Sequence, residues 1–193
     1  MLSLVTPGIA QEATWDRWFV GFDAGYLWRS ETSVTDGTLD SAGATIGFAA
    51  GKWWQLNQFA LGLDTGISFG GAARKASSPG VGGFGAWDYS VSETVAVSAR
   101  IKGGVPIGNL LPYAAAGLQT VYSVDQFTWL PGIAANGTET SIGATIAAGV
   151  EYLVTQNASV RAEYGLNLKF PQSATTTSFS GHGGKVGLNY YFN

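Results

Sequence analysis

The chain has 193 residues, of which 12% are charged and 13% are aromatic, with 28 glycines and no cysteine. Soluble domains usually carry about 25% charged residues, so this composition is atypical of a soluble enzyme, and without cysteine neither disulfides nor thiolate metal sites can form. The net charge of −3 gives no electrostatic reason to expect nucleic-acid binding, and the sequence holds no apolar run of about 18 residues that would form a transmembrane helix.

The first residues differ from the rest of the chain. Residues 2–10 are mainly apolar and end in Gly8, Ile9 and Ala10, a small-x-small pattern typical of a signal-peptide cleavage site. No basic residue precedes this run. We therefore expect residues 1–14 to be a signal-peptide remnant or an ordered N-terminal arm, and residues 15–193 to form one domain.

Apolar and polar residues alternate along eight segments of this domain. In the first segment the even-numbered residues from Trp18 to Trp28 are all apolar, whereas the odd-numbered residues include Gly21, Asp23 and Arg29. A period of two predicts a β-strand with one apolar face and one polar face. The eight segments are residues 18–28, 42–54, 59–69, 87–102, 112–124, 141–152, 158–170 and 179–193.

The seventh segment, Ala158–Phe170, shows the pattern most clearly. Its even positions are all apolar or aromatic, and its odd positions include Arg161, Glu163 and Lys169. A transmembrane strand needs about 9–11 residues and turns its apolar face to lipid and its polar face to a closed lumen. Because the pattern recurs at this length, we predict an all-β fold, an eight-stranded antiparallel up-and-down transmembrane β-barrel.

The lengths of the connections also alternate. Long connections follow the first, third and fifth segments at residues 30–41, 70–86 and 125–140, and a Ser/Thr-rich one follows the seventh, whereas short turns follow the second, fourth and sixth. Outer-membrane barrels have short periplasmic turns and longer external loops. This pattern predicts a bacterial outer-membrane location with both termini in the periplasm. A soluble eight-stranded barrel would not need alternating long and short connections.

Five tryptophans fall near predicted strand ends, where membrane barrels carry aromatic girdles at the level of the lipid headgroups. They are Trp18, Trp28, Trp53, Trp54 and Trp87. The alternative is that they are ordinary core tryptophans. In the fourth segment Glu93 falls in the lipid-facing set, and we expect it at the outer rim, where its carboxylate can reach water.

Further residues match a known family. Six runs resemble the strand motifs of one group of bacterial proteins. They are Ala99–Ile101, Asn109–Tyr113, Ala116–Leu118, Gly149–Tyr152, Ser159–Tyr164 and Val186–Phe192. That group is the small outer-membrane β-barrel proteins of the opacity type, related in architecture to the OmpA transmembrane domain. The resemblance covers roughly Trp15 to Asn193 and rests on strand motifs, so it implies a fold and a location, with no catalytic residues.

Seven charged residues on the polar faces are predicted to form a charge network in the lumen. They are Asp23, Asp64, Arg100, Lys102, Glu151, Arg161 and Glu163. An eight-stranded barrel is only wide enough for its own side chains, and an unpaired buried charge is costly, so we expect these charges to pair and to plug the lumen. The alternative is a gate, in which breaking Arg–Glu pairs opens a narrow ion path.

The only histidine, His182, lies in the last segment near Ser178 and Ser180. A barrel hydrolase or lipid A-modifying enzyme would need a histidine with a serine and an acidic partner, and no carboxylate lies near His182 in the sequence. We therefore interpret it as a rim residue. A lone histidine also makes a poor metal site, and no cofactor or metal is predicted.

One predicted loop is unusually apolar. It contains Phe127, Trp129, Leu130 and Ile133, and exposed apolar clusters often mark contacts with a partner or a membrane. The alternative is that these side chains fold back over the barrel mouth.

The sequence therefore predicts a non-enzymatic structural or surface-interaction protein with four external loops. Its expected partners are outer-membrane lipid and lipopolysaccharide and, through the loops, another envelope protein or a host protein, but no nucleic acid. The main alternative is a narrow porin-like channel for ions or small solutes. A third class, an enzyme acting on lipid A, is disfavoured.

Overall fold

A computed structural model describes residues 15–33, 37–71, 73–78, 87–129, 133–170 and 179–192. In these ranges the chain forms nine β-strands. They are β1 (Arg17–Ser33), β2 (Gly37–Leu56), β3 (Phe59–Gly70), β4 (Ala73–Ser78), β5 (Trp87–Gly104), β6 (Leu110–Trp129), β7 (Ile133–Leu153), β8 (Ala158–Lys169) and β9 (Phe179–Phe192). The described residues contain no helix that is long and apolar enough to cross a lipid bilayer.

The strands close into one antiparallel barrel. Each pairs with its neighbours in the order β1-β9-β8-β7-β6-β5-β3-β2, and β2 pairs with β1 to complete the ring. The closing pair β1–β9 runs from Trp18 opposite Phe192 to Glu31 opposite Phe179. The short strand β4 pairs with β5 and, at one position, with β2, so it occupies the place of β3 beyond that strand's end. The predicted eight-stranded barrel is confirmed.

The barrel is apolar outside and polar inside. In the described residues 35 large apolar side chains are exposed, and the buried set includes eleven polar or charged residues. Along β8, for example, Val160, Tyr164 and Leu166 are exposed, whereas Arg161 and Glu163 are buried. So large an exposed apolar surface is unsuited to water but is the surface that a membrane barrel presents to lipid.

The two ends of the barrel differ. At one end, the short-turn end, the connections are Asn57–Gln58, residues 105–109 and residues 154–157, and the described part of the chain begins and ends there, with Trp18 opposite Phe192. Asn57 has a φ of 54°, a left-handed conformation that asparagine adopts more readily than most residues. At the other end, the hairpin end, the strand pairs β1–β2, β4–β5, β6–β7 and β8–β9 run together.

Two segments predicted as loops are largely strand. β6 and β7 stay paired up to Trp129 opposite Ile133, so Asn136 and Gly137, which fall in the predicted connection at residues 125–140, lie inside β7. β1 and β2 likewise stay paired up to Ser33 opposite Gly37. The prediction was wrong because alternation stops where a strand leaves the membrane: residues 135–140 are all exposed, so neither face needs to be apolar.

The predicted loop at residues 70–86 contains strand β4. Gly70 and Gly71 have φ of 80° and 132°, values that favour glycine, and they interrupt the ladder between β3 and β4. Beyond them, Ala73 to Ser78 pair with Ser92 to Trp87 of β5.

A β-bulge resets the register of β5. Glu93 pairs with Ser123 and Val95 pairs with Tyr122, which leaves Thr94 as the extra residue. Ser123 belongs to the lumen-facing set of β6, because the neighbouring Tyr122 is exposed on the outside. The bulge therefore changes the backbone register at position 93 relative to the alternation from which Glu93 was predicted to face lipid, and the side chain of Glu93 lies outside the described residues.

Candidate functional site

Charged side chains from six strands meet inside the barrel. All seven predicted residues are buried, with exposed fractions of 0 to 7%, and an eighth, Lys185 of β9, joins them. We call these eight residues the lumen network: Asp23, Asp64, Arg100, Lys102, Glu151, Arg161, Glu163 and Lys185. With four carboxylates and four cationic groups, the network is neutral in sum when all of its members are ionised.

Arg100 lies at the centre of the lumen network. Its guanidinium donates two hydrogen bonds to Asp64, from Nε to Oδ1 at 2.9 Å and from Nη2 to Oδ2 at 2.8 Å. Its Nη1 donates to Oε1 of Glu163 at 2.6 Å. The other oxygen of Glu163 accepts a hydrogen bond of 2.8 Å from the Tyr113 hydroxyl. Such bidentate, charge-assisted bonds fix geometry as well as adding energy, so strands β3, β5, β6 and β8 are held at one level.

A second group of pairs ties the closing strands together. Nη2 of Arg161 donates to Oδ2 of Asp23 at 2.8 Å, joining β8 to β1 across β9. The ammonium of Lys185 on β9 lies 3.8 Å from Asp23 and 3.3 Å from Glu163. Lys185 was not among the predicted residues, although alternation with the outward Val186 places it inside the barrel.

Glu151 is held by hydrogen bonds from neutral groups. Its Oε1 accepts from Ser159 Oγ, Asn189 Nδ2 and Tyr191 OH, each at 2.5 Å. Glu151 has an exposed fraction of 0%, so these donors replace the water that its charge would otherwise need. None of these three donors was predicted. Strand alternation, which places them on the lumen-facing side, was the only feature of the sequence that could have indicated them.

Lys102 occupies an aromatic box. Its ammonium lies 4.8 Å from the ring centre of Phe19, 4.5 Å from Trp53 and 4.9 Å from Tyr113, and 3.4 Å from a carboxylate oxygen of Asp64. Cation–π attraction is strongest where water is excluded. The prediction that Trp53 belongs to the outer girdle was wrong: it is fully buried in the lumen, because adjacent residues on a strand point to opposite faces and Trp54 takes the outer one.

An apolar layer closes the short-turn end. It comprises Trp15, Phe19, Trp53, Ala60, Leu111, Tyr113, Ala115, Ala147, Leu153 and Tyr191. Trp15 precedes β1 and lies beneath the barrel, where its backbone N–H donates to Gln55 Oε1 at 2.9 Å and its indole N–H donates to the Gly108 carbonyl at 3.4 Å. Its ring meets that of Tyr191 edge-on at 6.0 Å. With 1% of its surface exposed, Trp15 completes the layer.

A cavity of about 120 Å³ lies on the hairpin side of the lumen network. Four network members line it: Asp23, Arg100, Glu163 and Lys185. Most of the other lining side chains are small or neutral and polar. They include Thr45, Ser68, Ser98, Gln119, Thr145 and Asn167. From the hairpin end inward, the lumen thus passes from this cavity through the charged layer to the apolar layer.

The outer surface carries aromatic residues at both edges of the apolar band. Trp18 and Trp54 lie at the short-turn edge and Trp28 at the hairpin edge, all exposed. The ammonium of Lys52 lies 5.5 Å from the ring centres of both Trp18 and Trp54. Trp87 begins β5, and its side chain lies outside the described residues.

A family comparison agrees with this architecture. A model of the outer membrane protein beta-barrel domain matches residues 1–192. The chain belongs to this family. Membership, together with the barrel, indicates a location in the bacterial outer membrane. No curated protein matches the chain in sequence.

Solved outer-membrane barrels share the fold. Neisserial surface protein A (NspA) is 20% identical, with 91% of this chain and 97% of that chain covered, at a TM-score of 0.52. A second neighbour is Ail, the attachment invasion locus protein of Yersinia pestis, which was solved with the heparin analogue sucrose octasulfate. It is 13% identical, with 91% of this chain and 99% of that chain covered, at a TM-score of 0.50. The outer membrane protease OmpT from Escherichia coli is 13% identical, with 93% of this chain and 98% of that chain covered, at a TM-score of 0.50. At these identities the similarity shows the fold alone.

His182 lies on the outside of this family barrel, in β9. Its Nδ1 is 2.9 Å from the Tyr164 hydroxyl, and its ring stacks on that of Trp28 at 5.6 Å and 20°. These neighbours are neutral aromatic groups at the hairpin edge of the lipid-facing band. Across the described residues no group of three or more His, Asp or Glu could hold a metal ion.

The predicted contact residues fall at the tip of the β6–β7 hairpin. Trp129 is the last residue of β6, Phe127 lies two residues before it, and Ile133 is the first residue of β7. Leu130 lies outside the described residues, as do the side chains of the other three. Their role in binding a partner stays a prediction.

Proposed function

We propose that this outer-membrane barrel is a non-enzymatic structural and surface-interaction protein whose lumen is plugged by its own side chains. The observation that carries the proposal is the neutral lumen network stacked on an apolar layer. Lys102, Glu151 and Arg161 have exposed fractions of 0 to 1%, so a water-sized sphere scarcely reaches them. A lumen filled in this way supports a role in stiffening the wall and presenting the hairpins rather than in transport.

Planar-bilayer conductance tests the plug. Wild type and Arg161→Ala are inserted under the same conditions, and heat-modifiable gel migration verifies that each is folded. We expect no conductance from either protein, because the rings of the apolar layer remain when Arg161 is removed. A silent wild type with a conducting Arg161→Ala would support a gate, and a conducting wild type would replace the proposal by a channel.

We further propose that the short-turn end and both termini face the periplasm and that the four hairpins face outward. The support is the general pattern of short periplasmic turns in outer-membrane barrels. Because the chain has no cysteine, the orientation can be tested with single-cysteine variants. Thr138→Cys in β7 should react with a membrane-impermeant maleimide on intact cells, whereas Gln58→Cys in a short turn should react only after permeabilisation. The reverse result would invert the orientation.

A narrow channel is the second candidate, and the cavity on the hairpin side of the network favours it. An ion entering there would already have passed part of the lumen and would face Lys185 and Glu163. Swelling of liposomes in solutions of small sugars and salts separates the candidates. Swelling faster than that of liposomes carrying a heat-denatured sample would support transport.

Surface interaction is the proposed role of the hairpins. Ail was solved with a heparin analogue, which shows that a barrel of this fold can bind a ligand of that kind. The β6–β7 hairpin is our candidate for a contact with another envelope protein, a host protein or lipopolysaccharide. An enzymatic role in lipid A modification has no support from the neutral surroundings of His182, and an unchanged lipid A mass on overproduction would be the matching result.

A further inference from the structure

The cavity above the lumen network has the chemistry of a binding site, and this inference does not depend on what the hairpins contact. Its floor is fixed, because Arg100 is held by three hydrogen bonds to Asp64 and Glu163. Its walls are strands of a closed barrel. Sites positioned on such rigid elements bind with little reorganisation.

The walls offer hydrogen bonds without charge. Hydroxyl groups come from Thr45, Ser68, Ser98 and Thr145, and amides come from Gln119 and Asn167. On the β8–β9 side, Gly165 lies opposite Gly183 and neither carries a side chain into the cavity. A Cβ on Gly183 would come within 2.6 Å of the Tyr26 carbonyl, so that part of the wall must stay open. Neutral donors and acceptors of this kind suit a hydroxylated ligand.

Lys185 is the most exposed of the four charged groups that line the cavity. Its side chain is 31% exposed, compared with 8% for Asp23, 3% for Glu163 and 6% for Arg100. Its ion pairs are also the longer ones, at 3.3 and 3.8 Å, whereas Arg100 holds the same Glu163 at 2.6 Å. The two carboxylates thus keep their guanidinium partners if the ammonium turns toward the cavity. The available charge is positive.

The size of the cavity limits the ligand. The cavity has a volume of about 120 Å³. This is smaller than the pockets of about 300–1,000 Å³ that hold drug-sized ligands. A three-carbon acid with one or two hydroxyl groups is of the matching size.

We propose that this cavity binds small hydroxylated carboxylates, with the carboxylate on the Lys185 ammonium and the hydroxyl groups on the serine, threonine and amide walls. Binding there needs no passage through the network. It would make the hairpin end a receptor for such acids even in a barrel that does not conduct.

The test is titration of the isotope-labelled barrel in lipid nanodiscs with sodium lactate, followed by backbone amide shifts. We expect saturable shifts at Ser68, Ser98 and Thr145 with a Kd in the millimolar range, about 1–10 mM. Glycerol, which has hydroxyl groups but no charge, should bind at least about tenfold more weakly, since a charge-assisted hydrogen bond is worth about twice a neutral one. Ethylammonium chloride should give no saturable shifts at these residues.

Two matched lysine variants isolate the ammonium. Lys185→Met should raise the Kd for lactate at least about tenfold, equivalent to about 1.4 kcal/mol, and Lys185→Arg should retain binding. Lys52→Met removes the same charge from the outer surface and should leave the Kd unchanged. If Lys185→Met does not fold, Gln119→Leu, which removes only a wall amide, should still weaken binding. No saturable shifts in wild type, or equal Kd values for the Lys185→Met and Lys52→Met proteins, would overturn the proposal.

Discussion

Replacing Arg100 with methionine tests whether the lumen network stabilises the barrel. The substitution keeps an unbranched side chain but removes three charge-assisted hydrogen bonds, two to Asp64 and one to Glu163. Breaking a buried ion pair by removing one partner typically costs about 3–5 kcal/mol, because the other charge is left uncompensated. Here Asp64 keeps Lys102 at 3.4 Å and Glu163 keeps Lys185 at 3.3 Å. We therefore expect a loss near the lower bound, about 3 kcal/mol.

Urea unfolding in lipid vesicles, followed by tryptophan fluorescence and by heat-modifiable migration, measures this loss. A double variant supplies the control: Arg100→Met with Asp64→Asn removes one charge of each sign and should recover part of the stability, since charge balance returns. Lys185→Met, whose ammonium is partly exposed and makes longer contacts, should lose less than the Arg100→Met protein. The network does not stabilise the barrel as argued if Arg100→Met unfolds at the wild-type urea midpoint. The same conclusion follows if the double variant loses more unfolding free energy than Arg100→Met and Asp64→Asn lose together.

Three further substitutions test other layers of the molecule. Trp15→Ala should destabilise the barrel by about 3–5 kcal/mol in urea unfolding because it empties a buried site, and a loss no greater than that of the lipid-exposed Trp54→Ala would contradict this. Leu63→Arg, on the lipid-facing side, should cost about 2–4 kcal/mol if it lies near the bilayer midplane; a neutral outcome in vesicle refolding would count against lipid contact there. Gly117→Ala would bring a Cβ within 2.0 Å of a backbone oxygen and should lower the yield of heat-modifiable barrel by overpacking, whereas Gly103→Ala, with its nearest atom at 4.0 Å, should fold like wild type.

Alternation carried most of the sequence prediction because lipid imposes it. Inside the membrane each residue faces either hydrocarbon or the lumen, so parity alone places Arg161 and Glu163 of β8 inside and Val160 and Tyr164 outside. The same rule could have corrected two points. Trp53 and Trp54 are adjacent and cannot share a face, and Lys185 precedes the outward Val186.

Alternation could not predict the strand extensions, the β-bulge or the hydrogen bonds between strands. Where β6 and β7 leave the membrane, both faces meet water, and residues 135–140 are exposed without alternation. Strand extension there depends on cross-strand hydrogen bonds, which a polar sequence does not reveal. The bulge at Thr94 was hidden for a similar reason, since only pairing with β6 shows where a residue is inserted. Hydrogen bonds such as those from Ser159 and Asn189 to Glu151 depend on register between strands.

The pairing of β1 with β9 has a consequence for how the molecule forms. Trp18 lies opposite Phe192, so the ring is complete only when all the strands between these two residues are in place. Contacts so distant along the chain are slow to form, because loop entropy must be overcome before they contribute. Until then β1 and β9 are both unpaired edges with apolar faces, a hazard for aggregation. We infer that assembly is all-or-none at its last step, and that losing the C-terminal strand would yield an insoluble sheet instead of a smaller barrel.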